Sequence, residues 1–311
     1  MSKPRILVVG STNMDFVVCA DRVPDAGETI MSDGSYFIAP GGKGANGAVA
    51  AARLGADVIL CARVGKDVYG NTLLDMYKSE GMDVRFVSED ETAPTGLAQI
   101  FREANGQNRI TVFTGSNINL GLTDVEDAFT SYPDALLTQC EIPVDVMRYA
   151  IKSANKQNIP VFLDMAPVRD DLDFSKIGKC EIVSPNETET AFYTGITPAG
   201  DDCLRAAIEL YKKVKTKYVV LKLGDRGCFV YDGYHSEYVP SMNVTALDTT
   251  GAGDCFTAAL TVRYLANGRD ILDAARFANC AGAYSVTKSG AFASFPHLTE
   301  LDAFVRAYNA H

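Results

Sequence analysis

The chain has 311 residues, 47% of them hydrophobic and 22% charged, with a formal net charge of −10 at pH 7. Such a length can bury one large core, and such a composition excludes disordered and collagen-like classes. The acidic balance, with no Lys/Arg-rich run, opposes broad contact with a phosphate backbone, so nucleic acid is not an expected partner, whereas a small anion pocket of backbone N–H groups and one or two lysines remains compatible.

Arg5 to Gly10 reads as a strand, Ser11-Thr-Asn-Met-Asp15 as a polar hinge and Phe16 to Ala20 as a second strand. Strand-like Val58–Val64 precedes helix-like Tyr69–Glu80, and Ala135–Thr138 precedes Val144–Gln157. Val161–Asp164 follows, and Leu204–Lys213 leads into Tyr218–Leu223. This alternation predicts an α/β fold with a mostly parallel sheet between helical layers. The capping pattern Thr123-Asp-Val-Glu126 predicts a helix from about 124, and Thr299-Glu-Leu-Asp302 starts the last one.

No repeat or linker divides residues 1–311, which predicts a single domain whose appendage is built from insertions at 16–38 and 96–114. In the second, Gly96–Phe101 and Arg109–Phe113 alternate as strands about a turn at Asn105-Gly106. Together they suit a small sheet that covers a ligand as a lid and pairs with another subunit; an ordinary edge hairpin is the alternative.

The eight cysteines (19, 61, 140, 180, 203, 228, 255 and 280) form no C-x-x-C pair, so free thiols are expected. Ile6 to Val9 is too short for a signal-peptide core, and no apolar stretch of ~18 residues could cross a bilayer, so no membrane and a cytoplasmic location are expected. His235, His297 and His311 neighbour no candidate nucleophile, which leaves Ser-His and Cys-His hydrolysis without support.

Asp248-Thr-Thr-Gly-Ala-Gly-Asp254 runs into the helical stretch Phe256–Val262, so Gly251, Ala252 and Gly253 open a helix whose free amides and positive dipole end suit an anion. Asp254 is then either a favourable helix-start charge, worth ~0.3–1 kcal/mol, or the base that takes a proton from an attacking hydroxyl, or both. Gly41-Gly42-Lys43-Gly-Ala-Asn46 precedes the helical Ala48–Leu54. It formally contains G-x-G-x-x-G but follows Tyr36–Pro40 rather than the opening strand, against a dinucleotide fingerprint. The P-loop pattern also fails there, so donor phosphates fall to Gly224-Asp225-Arg-Gly227, which could equally be a tight hairpin turn.

Asn13, Asp15, Lys43 and Asn46 offer the acceptors and amides that a polyhydroxyl ligand needs, though each alone is ordinary loop material. Pro185-Asn-Glu-Thr-Glu189 follows the strand Glu181–Val183, placing hard oxygens where a water-rich magnesium ion binds.

These motifs, with Val64-Gly-Lys-Asp67-Val-Tyr-Gly70 and Glu141, stand in the same order as in the PfkB, or ribokinase-like, sugar kinases, which the chain resembles over essentially its whole length. The resemblance implies the three-layer α/β/α ribokinase-like fold with a small β-sheet lid. The Gly-Gly-Lys-Gly-Ala-Asn form is similar to that of the family's ribose-phosphorylating members. It implies ATP as donor and ribose as acceptor, the pentose contacted by Asn13, Asp15, Gly41, Gly42, Lys43, Asn46 and Glu141. Asp254 would deprotonate the 5-hydroxyl for in-line attack on the γ-phosphate, with Gly251, Ala252 and Gly253 stabilising the group in transfer.

By the same resemblance Asn186, Lys222, Gly224, Asp225, Gly227, Gly253 and Asn279 would line the nucleotide site, and Glu189 would help to place magnesium through water. Activating potassium would take oxygens of Asp248, Thr250, Ser285, Lys288, Gly290 and Ser294, and a homodimer would form through the lid strands. Lys222 stands where Thr or Ser is usual, which leaves it either on a phosphate or turned to solvent. The rival readings are a family kinase for another sugar or a nucleoside, and a non-catalytic sugar sensor.

Overall fold

The structure, a computed structural model, describes residues 3–103 and 108–310; the turn expected at Asn105-Gly106 and His311 lie outside these residues. In chain order the strands are β1 (Arg5–Val9), β2 (Asn13–Ala20), β3 (Ser35–Gly41), β4 (Asp57–Gly65), β5 (Asp83–Asp90), β6 (Gly96–Glu103), β7 (Asn108–Phe113), β8 (Ala135–Gln139), β9 (Val161–Asp164), β10 (Cys180–Ser184), β11 (Thr216–Lys222), β12 (Cys228–Tyr231) and β13 (Ser236–Val239). The helices are α1 (Lys43–Arg53), α2 (Val68–Ser79), α3 (Leu122–Phe129), α4 (Val144–Lys156), α5 (Phe174–Ile177), α6 (Glu187–Thr194), α7 (Asp202–Lys213), α8 (Ala252–Ala266), α9 (Ile271–Val286) and α10 (Leu298–Asn309).

Nine strands form one sheet in the order β13-β12-β11-β10-β9-β8-β1-β4-β5. From β11 to β5 every pairing is parallel, and β12 and β13 add an antiparallel edge. A strand covered on both faces must be apolar at every position, and Ile6 to Val9 shows how. Ile6 and Val8 pack towards α1, α2, α8 and α9, while Leu7 and Val9 pack towards α3, α4 and α7. The α/β/α layering expected of the sequence is therefore present. No helix among the described residues is long and apolar enough to cross a membrane.

The second sheet, in the order β3-β2-β6-β7, has a parallel central pair, β2 with β6, flanked by two antiparallel strands. Its Val17, Ala98 and Ile100 form a small apolar cluster on the sheet face that also carries Asp15.

Several boundaries differ from expectation, each for a local reason. Asn13 to Asp15 belong to β2, because their backbone pairs with β3 and β6, and the hinge shrinks to residues 10–12. Helix α1 starts at Lys43 rather than near Ala48, with Ser11 O accepting the Ala45 N–H at 2.9 Å. Neither expected capping box forms: Asp124 accepts from Gly121 N–H at 2.8 Å and Glu300 from His297 N–H at 2.8 Å, so α3 and α10 begin one to two residues earlier.

The first turn of α1 lies directly on the end of β1. A Cβ on Gly44 would fall 2.5 Å from Ser11 N and 2.6 Å from the Gly10 backbone. Gly44→Ala therefore forces α1 away from β1, and is expected to lower unfolding free energy by about 1–3 kcal/mol in urea denaturation.

Candidate active site

Strand β2 delivers Asn13 and Asp15, and the N-terminus of α1 delivers Lys43 and Asn46 to the same place. Asn13 is buried and its Oδ1 accepts from Asn117 Nδ2 at 2.8 Å. Asn117 also spans both backbone groups of Thr12 at 2.9 Å, bracing the hinge. Gly41 and Gly42 close in on these residues: a Cβ on Gly41 would meet Asp15 Oδ2 at 2.2 Å, and one on Gly42 would meet Asn13 N at 2.8 Å. Glu141 Oε2 accepts from Ser11 Oγ at 2.6 Å and from Lys43 N–H at 3.0 Å, fastening the start of α1 to the end of β8.

Asp254 sits in the first turn of α8, buried against α1. Asn46 Nδ2 donates to its Oδ2 at 2.7 Å, and Lys43 Nζ lies 3.7 Å from its Oδ1. Asn46 Oδ1 is buried with no partner among the described residues, an acceptor open to a donor from outside the chain. Burial pushes the Asp254 carboxyl above its ordinary value against the opposing pull of Lys43, while Asp254 holds the Lys43 ammonium protonated. Asp15 is pushed up to about 7, first by desolvation and then by the charges of Glu141 and Asp254.

The turn ahead of Asp254 is capped by Gly251 at φ 75°, a left-handed conformation that glycine adopts without strain. Ala252 N–H is turned back onto Thr249 O at 3.2 Å, so it does not serve the anion hole as expected. The Gly251, Gly253 and Asp254 amides have no acceptor among the described residues and remain for an anion.

Lys222, at the end of β11, does not point to solvent. Its Nζ lies 2.8 Å from Asp164 Oδ2 and 3.4 Å from Thr257 Oγ1, and 3.4 Å from where a Gly253 Cβ would stand. Thr257 Oγ1 also donates to Asp164 Oδ2 at 2.8 Å. Sequence reading did not single out Asp164, although an acid ending a parallel strand is where ligands of open α/β sheets bind.

A cavity of about 420 Å³ opens beside Gly253 and is lined by Lys222, Gly224, Asp225, Gly227 and Asn279, with Phe256 and Val286 on an apolar wall. Residues 224–227 join antiparallel β11 and β12, as the hairpin reading expects, and they also line this cavity. Asn279 Nδ2 donates to Val239 O at 2.9 Å. Asn186 is not part of the lining; it caps α6, exchanging hydrogen bonds with Glu189.

Each Glu189 oxygen accepts one such bond, at 2.7 and 2.9 Å, which leaves lone pairs for a water-mediated cation. Among the described residues no group of three acidic, His or Cys side chains is placed to hold a metal ion.

Of the residues expected around potassium, the side chains already have partners, which leaves the backbone carbonyls of the same residues as the oxygens in question. Asp248 Oδ1 accepts from Thr250 N–H at 3.0 Å and its hydroxyl at 2.7 Å, and Oδ2 from Gly290 N–H at 2.9 Å and Arg102 Nη2 at 2.9 Å. Against burial, which raises it, these donors bring the Asp248 carboxyl down to about 2. Ser285 Oγ donates to Gly282 O at 2.8 Å, Ser294 Oγ to Ala291 O at 2.7 Å, and the Lys288 ammonium turns to Tyr284.

Lys222→Met would strand the buried Asp164 charge, an expected loss of about 3–5 kcal/mol in denaturant unfolding; the double variant with Asp164→Asn should recover much of it.

The profile of the pfkB family carbohydrate kinases matches residues 3–298. A ribokinase of Bacillus subtilis is 36% identical over 300 residues, covering 96% of this chain and 98% of that protein. A deoxyribokinase of Salmonella typhi is 31% identical over 302 residues, with 96% and 98% covered. The structure of Arabidopsis thaliana ribokinase complexed with ribose and ATP superposes with a TM-score of 0.86 at 30% identity, covering 98% of this chain and 99% of that one. With that profile spanning nearly its whole length, the chain belongs to the pfkB family of carbohydrate kinases.

Proposed function

We propose that the chain transfers the γ-phosphoryl group of ATP to the 5-hydroxyl of D-ribose, giving ADP and D-ribose 5-phosphate. The carrying observation is the position of Asp254, buried, bonded to Asn46 Nδ2 at 2.7 Å, and directly following a turn whose Gly251 and Gly253 amides have no acceptor among the described residues. Its carboxylate takes the hydroxyl proton as the oxygen attacks phosphorus, and the bond to the ADP oxygen breaks. Asn13, Asp15, Gly41, Gly42, Lys43, Asn46 and Glu141 would surround the sugar, and Gly251 and Gly253 would receive the phosphoryl charge.

ATP would lie in the cavity beside Gly253, with Lys222 facing its phosphates and magnesium helped into place by Glu189 through water. For potassium the reading retains backbone carbonyls of the 248–250 and 285–294 segments as ligands but not the Asp248 carboxylate, which Arg102 holds, and it expects the ion to add little to turnover. We read the small sheet as a lid inserted into one domain, excluding water from the transfer. Tyr36 and Ile38 on β3 and Ile110 and Val112 on β7 are exposed, which supports a homodimer through these strands. Eight free cysteines support a cytoplasmic location.

The similarity to a deoxyribokinase favours one second reading, 2-deoxyribose as acceptor. Sugar-dependent ADP release over a panel of pentoses, hexoses and nucleosides separates the two, and no release with any of them would leave a sugar sensor.

For Asp254→Asn, sugar binding by calorimetry should stay near normal while turnover falls at least about a hundredfold. Turnover like that of the unaltered chain would remove Asp254 as the base.

Asp15 gives the site a pH dependence. A hydroxyl bond to the ionised carboxylate is charge-assisted and stronger than one to the neutral carboxyl, so sugar affinity should rise from about pH 5.5 to about pH 8, and Asp15→Asn should flatten the profile. The free protein shows the opposite sign. With the folded-state value raised from 3.8 to about 7, the Asp15 contribution to stability is fully present at low pH and is lost as pH rises through about 7.

A further inference from the structure

The Asp248 carboxylate shapes the loop that enters α8. Through Oδ1 it holds Thr250, next to the Gly251 cap, and through Oδ2 it holds Gly290 beyond the end of α9. Its side chain is only 5% exposed. Held by neutral donors alone, this group would keep a full negative charge beside a turn whose amides must receive an anion. The charge is met by Arg102, whose Nη2 stands 2.9 Å from Oδ2. Arg102 belongs to β6 and shares its sheet face with Asp15, since Ala98, Ile100 and Arg102 alternate on that face and Ala98 is the register partner of Asp15. The guanidinium therefore reaches the turn from the other sheet.

We infer that Arg102 is a positioning residue for phosphoryl transfer: acting through Asp248, it brings from the small sheet the positive charge that a monovalent cation would otherwise supply, and it ties the order of the 248–253 turn to the docking of that sheet. The inference rests on the kinase reading above. Potassium could use Asp248 Oδ2 only by displacing a charge-assisted guanidinium bond, so an ion adds little while Arg102 is in place. The cation is also conditional. When the small sheet swings away, the charge leaves with it and the turn loses the contact that balances Asp248.

The test uses the full chain, unaltered and as Arg102→Gln and Arg102→Lys. Sugar-dependent ADP release is measured in potassium chloride and in tetramethylammonium chloride at matched ionic strength, with hydrogen exchange of the 249–254 amides in the same salts. The unaltered chain should differ by less than about twofold between salts. Arg102→Gln should lose roughly tenfold in kcat in tetramethylammonium, regain most of it in potassium, and show faster exchange at 249–254 that potassium slows. Arg102→Lys, which keeps the charge, should fall between. Strong potassium activation of the unaltered chain, or an Arg102→Gln variant indistinguishable from it in both salts, would overturn the inference. Absence of sugar-dependent ADP release from the unaltered chain would defeat the kinase reading alone, and exchange at 249–254 would still decide whether Arg102 orders the turn.

Discussion

Two ammonium groups hold together a concentration of carboxylates that the fold forces into one place. Asp164 at the end of β9, Glu189 in α6 and Asp254 in α8 are buried, and Asp15 and Glu141 stand close by. Lys43 feels Asp254, Asp164, Glu141 and Glu189 together, and Lys222 pairs with Asp164 at 2.8 Å. In a medium of low dielectric, like charges this close cannot all stay ionised without such partners. Acids outnumber lysines here, and burial, with the charges of Glu141 and Asp254 added to it, pushes the Asp15 carboxyl up to about 7.

The backbone supplies the rest of the positive field. Helices α1 and α8 both start at this cluster, Asn46 of one bonded to Asp254 of the other, so two helix N-termini face the same acids. The glycines that allow this work by closeness as much as by flexibility, as the near contact of Gly44 with Gly10 shows. A cluster of carboxylates beside amides that have no acceptor among the described residues thus sits at the seam between two helix starts.

Much of this was legible in the sequence because it is local. Strand and helix periods, the Gly251-Ala-Gly253 turn and the acid after it are each readable within a few residues, and the sheet layers follow from them. What was not legible depends on residues distant in the chain. Lys222 read equally well as solvent-facing until Asp164 gave it a partner, and Asp164 itself looked like the end of a buried strand. Asn117 and Arg102 carried no motif; their importance lies in Thr12, Asn13 and Asp248, which folding brings to them. Helix starts slipped for a local reason: the expected boxes paired Thr123 with Glu126 and Thr299 with Asp302, whereas Asp124 and Glu300, two residues earlier, take the N–H groups of Gly121 and His297.

The parallel pairing of β2 with β6 bears on the order of assembly. These strands are joined not by a turn but by β3, α1, β4, α2 and β5, and β4 and β5 belong to the other sheet. Closing so long a loop for one ladder is entropically unfavourable until the intervening elements have been fixed by their own packing. The β2–β3 pair that carries Asn13 and Asp15 is local in sequence, but its ladder to β6 waits on the larger sheet, so a nascent or partly unfolded chain lacks the completed small sheet even where the turn at α8 has already formed.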